Sequence, residues 1–238
     1  MVKYFIDHYQ VKFFLTGSAS FYLKNLFTES LAGRKYIFGL FPLTFKEFLS
    51  FKDSPLKIPE NPRDITRPQF ESISLLSDEY LRFGGFPGVV LKTSVEEKER
   101  SLDEVFTSFY QSEVLQLGDF RKNEIVRDLM LLLAQRVGSK LNVQKISREL
   151  GITRPTRYEY LAFLEGTFFV KMIRPLTRRK NSEIRKSPKI YLYDSGLANR
   201  LAKLDEAAIF ENSIFQNLRQ KVRSLTMERK TVSRSTSF

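Results

Sequence analysis

A chain of 238 residues, 42% hydrophobic and 28% charged, is long enough for one large domain or two to three small ones and too apolar for wholesale disorder. It has no cysteine and one histidine, His8, which excludes a disulfide framework, a Cys/His zinc site and a cysteine nucleophile, so no metal site is expected. The 39 basic against 27 acidic side chains leave a formal charge of +12, which favours an anionic partner. No apolar run approaches the roughly 20 residues needed to span a bilayer. The N-terminus also lacks a signal-peptide pattern, so the expected compartment is the cytoplasm, with no membrane partner.

In chain order, the apolar runs Lys12 to Thr16 and Tyr36 to Leu40 predict short strands, with a helical stretch from Tyr22 to Leu31 between them. Strand, helix, strand suits part of a parallel α/β sheet. Two strands cannot complete such a sheet, so Phe13, Phe14, Ile37 and Phe38 should stay partly exposed and favour association with other subunits. Pro55, Pro59, Pro62 and Pro68 predict a long surface loop between Lys52 and Gln69. Ser77 to Phe83, Glu97 to Leu117 and Glu124 to Val137 read as helices, the last with Ile125, Leu129, Leu132 and Leu133 on one face.

Basicity belongs to one segment: residues 1–120 carry net −2, residues 121–200 net +11 and residues 201–238 net +3. Within the basic segment, Val143, Ile146 and Leu150 form a short amphipathic pattern, Gly151-Ile152-Thr153 a tight turn, and Pro155 opens a second helix. This is a helix-turn-helix pattern. Tyr160, Leu161, Leu164 and Phe168 mark its inward stripe, with Arg157 at the stripe and snorkelling. Arg154, Thr156, Tyr158 and Glu159 then face outward near the N-terminal half, where recognition helices meet bases. An apolar strand from Thr167 to Pro175, a basic loop holding Arg178, Arg179 and Lys180, and a strand from Lys189 to Tyr193 look like a wing. Seven basic residues between Arg174 and Lys189, against Glu183 alone, suit phosphate contacts.

Phe13-Phe14-Leu15-Thr16-Gly17-Ser18, Leu31-Ala32-Gly33-Arg34, Phe41-Pro42-Leu43-Thr44-Phe45-Lys46-Glu47-Phe48 and Tyr80-Leu81-Arg82-Phe83-Gly84-Gly85-Phe86-Pro87 occur in this order. Together they resemble the bacterial and archaeal AAA-type ATPase family whose core is followed by a domain of unknown function. The resemblance implies that Ser18, with Thr16 nearby, corresponds to the sensor-1 residue orienting the attacking water, and that Arg34 could face a phosphate of a neighbouring subunit. Read from the residues alone, Ser18 or Ser20 is a helix cap and Arg34 a surface cation. No Gly-Lys dipeptide occurs, so the phosphate loop G-x-x-x-x-G-K-[ST] is missing, as is the acidic strand that would hold magnesium. Complete relatives would use ATP and magnesium; this chain is expected to be inactive alone and to need no cofactor.

Lys189-Ile190-Tyr191-Leu192-Tyr193-Asp194-Ser195-Gly196-Leu197 and Phe210-Glu211-Asn212-Ser213-Ile214-Phe215 resemble the opening of that family's C-terminal domain, a nuclease-like fold. Its later metal-holding carboxylates and lysine are absent, so Glu211 is expected to be an exposed or capping carboxylate. The fold class expected is thus an α/β N-terminal remnant of a P-loop ATPase core, a mostly α portion with a winged helix-turn-helix, and the start of an α/β nuclease-like domain. The boundaries are 1–52 for the partial core, 53–119 for a loop and helical lid-like segment, 120–188 for the winged helix, and 189–238 for the truncated nuclease-like domain and a tail disordered beyond about Met227. The expected function is that of an incomplete AAA-type family protein, truncated at both ends, that binds duplex DNA or a protein partner. The alternatives are a winged-helix DNA-binding regulator and a protein-interaction module with no nucleic-acid role.

Overall fold

The computed structural model describes residues 2–9, 11–14, 38–59, 61–118, 120, 122–175 and 186–219. The expectations for Ser18, Arg34, Arg178, Arg179, Lys180 and the tail beyond Met227 lie outside the described residues. At the N-terminus Val2–Tyr9 form a helix, α1, while residues 11–14 and 38–40 belong to no strand. The described parts of the two expected N-terminal strands are therefore not strands. A strand persists only where a neighbour takes its N–H and C=O groups, and no described segment pairs with these. Phe14 and Phe38 are largely exposed, as expected of apolar residues lacking a covering layer.

Two helices flank the proline-rich stretch. The first, α2 (Phe45–Phe51), begins with a capping box in which Thr44 accepts from the Glu47 amide and Glu47 accepts from Thr44. The second, α3 (Arg67–Phe83), starts ten residues before the expected Ser77 and includes Pro68 in its first turn. The expectation that Pro68 lay in a loop fails because a first-turn residue has no intrahelical use for its N–H, so proline costs nothing there. One helical turn, α4 (Pro87–Val90), leads to α5 (Val95–Phe109), which continues as a π-helix over Tyr110–Leu117. Phe48, Leu49, Tyr80 and Val90 form a small core between α2, α3 and α4.

The larger core is built from the next elements: α6 (Asn123–Ala134), α7 (Val143–Leu150), α8 (Arg154–Gly166), β1 (Val170–Ile173), β2 (Lys189–Leu192) and α9 (Ser195–Ala202). A last helix, α10, covers residues 206–219. The fold is mostly helical, with a single two-stranded antiparallel sheet among the described residues. Val126, Leu129, Met130 and Leu133 point α6 into the core beside Ile146, Leu164, Val170 and Leu192. Leu129 and Leu133 are buried as expected, while Ile125 and Leu132 are only partly buried and Val126 and Met130 fill the core.

The β1 and β2 strands pair in the register Val170↔Leu192 and Met172↔Ile190. Isolated bridges join Val137 and Lys140, in the connection between α6 and α7, to Ile190 and Lys189 of β2. The chain order is therefore helix, bridging segment, helix, helix and antiparallel hairpin. Phe168 is not in the inward stripe: it takes φ 62° at the exit of α8, its ring meets Phe41 and Tyr193 edge-on, and Phe163 and Phe169 fill the core instead.

Candidate functional site

The helix-turn-helix is set by local bonds. Asn142 caps α7 by accepting from the Lys145 amide at 3.0 Å, and Thr153 caps α8 by accepting from the Thr156 amide. Gly151 ends α7 with φ 62°, a left-handed conformation that would strain a residue with a side chain. Arg157 does not snorkel as expected. It is 5% exposed, and one guanidinium nitrogen donates to the Val143 carbonyl at 3.2 Å and to Ser147 Oγ at 3.0 Å. The Val143 carbonyl and the Ser147 hydroxyl give the charge acceptors that solvent would otherwise supply, so Arg157 fastens the two helices to each other.

Of the residues expected to face a ligand, Arg154 and Tyr158 come together on the exposed side of α8. The Arg154 and Arg157 guanidinium carbons lie 5.7 and 4.7 Å from the centre of the Tyr158 ring. Hydrogen bonds from Arg157 first, then Arg154, hold the Tyr158 phenol below its ordinary pKa. Thr156 is half-buried, and its hydroxyl lies 2.9 Å from that of Thr153, so it completes a cap and does not project. Arg178, Arg179 and Lys180, which lie between β1 and β2 in sequence, are outside the described residues. Lys140, Arg148 and Lys186 are exposed cations with no ion pair among the described residues; Lys186 belongs to the basic run read from the sequence, while Lys140 and Arg148 were passed over. By contrast Arg136 is neutralised by Glu149 at 2.6 Å and Lys171 by Glu165 at 2.6 Å.

A second polar centre joins distant parts of the chain. Asp194 is 1% exposed and caps α9, its Oδ1 accepting from the Leu197 amide at 2.8 Å. Its Oδ2 accepts from the Gly85 amide at 2.7 Å. Burial pushes the Asp194 carboxyl up to about 6, against the hydrogen bonds it accepts. From α10, the buried Gln216 accepts from the Ser195 amide at 3.0 Å and donates to the Leu43 carbonyl at 3.0 Å. Asn212 accepts from the Leu192 amide, and Asn217 from the Phe45 amide at 2.8 Å. The same Leu43 carbonyl accepts from the Tyr80 hydroxyl at 2.8 Å, and burial raises the Tyr80 pKa above its usual value. Gly196 lets α9 touch the end of α3, because a Cβ there would fall on the Phe83 carbonyl.

Three of the strings singled out in the sequence thus meet here with α10, which carries a fourth, Phe210 to Phe215. Asp194 accepts from the Gly85 and Leu197 amides and from Gln216, which ties α3, α9 and α10 together as a structural clamp. Glu211 is neither free nor a cap: it accepts from Lys189 at 2.7 Å and from the Tyr191 hydroxyl at 2.5 Å, contacts that hold its pKa below the usual carboxylate range. Among the described residues no group of three or more His, Asp or Glu side chains could hold a metal ion. Nor is any described helix long and apolar enough to cross a membrane.

A family profile described as a domain of unknown function, DUF8612, matches residues 75–208. The chain belongs to that family. A second profile, described as an AAA domain, matches residues 1–49, so the DUF8612 portion here follows a segment related to AAA-type ATPases. Similar proteins include an uncharacterized protein of Methanocaldococcus jannaschii, 28% identical over 215 residues, which cover 87% of this chain and 47% of that protein. An uncharacterized protein of Haemophilus influenzae is 29% identical over 188 residues, covering 77% and 44%, and one of Mycobacterium tuberculosis is 28% identical over 202 residues, covering 85% and 40%. The chain spans less than half the length of these relatives. No solved structure matches it.

Proposed function

We propose that this DUF8612 chain is the nucleic-acid-holding part of an AAA-type ATPase relative, and that residues 120–188 act as a winged helix on duplex DNA. The observation that carries this reading is the order of elements: α6, the bridging segment 137–140, the helix pair α7 and α8, and then the β1–β2 hairpin beside which that segment lies. The net +11 of residues 121–200 supports it, since phosphate contacts supply most non-specific affinity. Arg154 and Tyr158 present one cation and one ring on the outward side of α8, a poor set for reading bases, so binding is weak and mainly through phosphates. Residues 189–219 open a nuclease-like domain in the same reading, supported by the resemblance of their strings; with Glu211 bound to Lys189 and Tyr191 they do no metal chemistry. With no phosphate loop in its sequence, the chain alone does not turn over ATP, and calorimetry with Mg-ATP should give no micromolar isotherm.

Fluorescence anisotropy of a labelled duplex at several salt concentrations tests the reading. With about five phosphates contacted, the log–log slope of affinity against salt should be about −4 to −5. Arg178→Ala and Lys180→Ala should weaken all duplexes alike, while Arg154→Ala should change sequence preference if the residue reaches a guanine edge. Absence of binding at low salt, or a slope near zero, removes DNA and leaves the hairpin as a protein-facing surface.

A further inference from the structure

A cleft outside both centres gathers lysines around a half-buried carboxylate, Glu79. It lies between the C-terminal end of α2, the end of α4 and the start of α5, has a volume of about 430 Å³, and is lined in part by Lys52, Lys92, Lys98, Glu79 and Asp53. Lys98 is 6% exposed, with its ammonium 5.1 Å from the Phe83 ring centre. It donates one hydrogen bond, to Glu79 Oε1 at 2.5 Å. An ammonium has three donors, so two have no acceptor among the described residues. Lys52 leans on the same carboxylate, 2.6 Å from each oxygen. Burial opposes the Glu79 charge, yet hydrogen bonds from Lys52 and Lys98 hold its pKa below the usual carboxylate range, so one ionised carboxylate serves two cations. Lys92 adds a third ammonium, exposed and near enough to Glu97 to help lower its pKa, and Asp53 is an exposed counter-charge at the rim. Among the residues that line the cleft the charges are three positive against two negative.

We propose that this cleft binds a phosphate-type oxyanion, carried by a phosphate monoester. Ammonium groups act as point charges for phosphate oxygens, and a desolvated cation with spare donors gains most from an added acceptor. Phe51 and Leu91, 42% and 63% exposed, give the cleft an apolar wall for the organic part of the ester, and the volume lies within the range of about 300–1,000 Å³ of small-ligand sites. The phosphate belongs either to a small molecule or to a nucleic-acid backbone; at the lysines the chemistry is the same.

Line broadening of the 31P resonance of phenyl phosphate, titrated with the full chain at ionic strength fixed by chloride and competed by inorganic phosphate, tests the proposal. Saturable broadening with a Kd on the order of 1 mM is expected. Lys92→Gln, on the surface, should weaken binding about fivefold, and Glu79→Gln, which removes the competing carboxylate, should tighten it. Lys98→Met should abolish binding, but it changes a buried position, so the opposite signs of the first two variants, with folding checked by circular dichroism, decide. If Lys92→Gln also weakens duplex binding, the phosphate is a backbone phosphate; if only phenyl phosphate binding falls, the ligand is a small molecule. No saturable broadening up to about 20 mM, or equal binding in Lys92→Gln and Glu79→Gln, overturns the proposal.

Discussion

The helix-turn-helix and the clamp around Asp194 use the same kinds of bond over opposite distances along the chain. In the first, donor and acceptor are 3 residues apart for the Lys145–Asn142 cap and 14 apart for Arg157 and Val143. In the second, they are 109 apart for Gly85 and Asp194 and 173 apart for Gln216 and Leu43. Short-range bonds fix a shape that its own segment encodes, whereas long-range ones hold only when the rest of the core has already placed their ends. Damage to the helix-turn-helix should therefore stay local, and damage to the clamp should spread through the whole fold.

The largest effect is expected from Gly196→Ala. Its new methyl would meet the Phe83 carbonyl and the Gly84 amide, both backbone groups that cannot rotate away, so α3 and α9 must separate. A loss of about 3 kcal/mol in urea unfolding, or failure to fold, is the outcome for such overpacking. A loss below about 1 kcal/mol would show that the two helices slide freely and that the clamp is not rigid.

Asp194 sharpens the comparison through pH. Its carboxyl lies at about 6 in the folded chain against an ordinary 3.8. The folded state thus favours the protonated form, so this contribution is fully present below pH 3.8 and is lost as pH rises through about 6. The gap between the two values corresponds to about 3 kcal/mol. Between pH 4 and pH 7 the wild type should lose up to about 3 kcal/mol of stability relative to Asp194→Asn, which stays neutral throughout. A difference that does not vary with pH would mean that the amides of Gly85 and Leu197 solvate the carboxylate as well as water does.

The smallest effect belongs to the helix-turn-helix. Gly151→Ala meets nothing within 4 Å, so its cost is that of a left-handed backbone alone, about 1 kcal/mol. Hydrogen exchange should show lost protection within 143–166 and none at the Gly85 or Leu197 amides. Loss of protection at the clamp would erase the distinction between the two regions.

The range of these bonds also explains what could be read from the sequence. Asn142, Gly151, Thr153 and Pro155 announce the two short helices because each acts on neighbours within a turn, and the runs Thr167 to Pro175 and Lys189 to Tyr193 announce the two strands, the first of them shorter than read, Val170–Ile173. The strings holding Leu43, Gly85 and Asp194 were visible, but not their meeting, since nothing near Asp194 names an amide 109 residues away. Asn212, Gln216 and Asn217 look like ordinary helix polar residues, although the spacing of four places Asn212 and Gln216 on one side of α10. Arg157 was misread because its acceptors, the Val143 carbonyl and Ser147, come from the preceding helix, and a cation on an apolar stripe does not show where its head will go. The described parts of the N-terminal strands, residues 12–14 and 38–40, do not form strands, because apolar content alone suggests a strand but does not supply the neighbour it needs.

The clamp also has a consequence in time. Leu43 and Phe45 are made early, yet their carbonyl and amide are bonded by Gln216 and Asn217, which leave the ribosome more than 170 residues later. At a synthesis rate of roughly 5–20 residues per second that interval is roughly ten seconds or longer, during which the Phe48 and Tyr80 core can form but its polar edge cannot close. Contacts of such separation slow folding, and until α10 arrives the aromatic side chains it covers are open to other chains. The nascent DUF8612 chain therefore passes through a window in which holdase chaperones or a neighbouring domain would determine its yield.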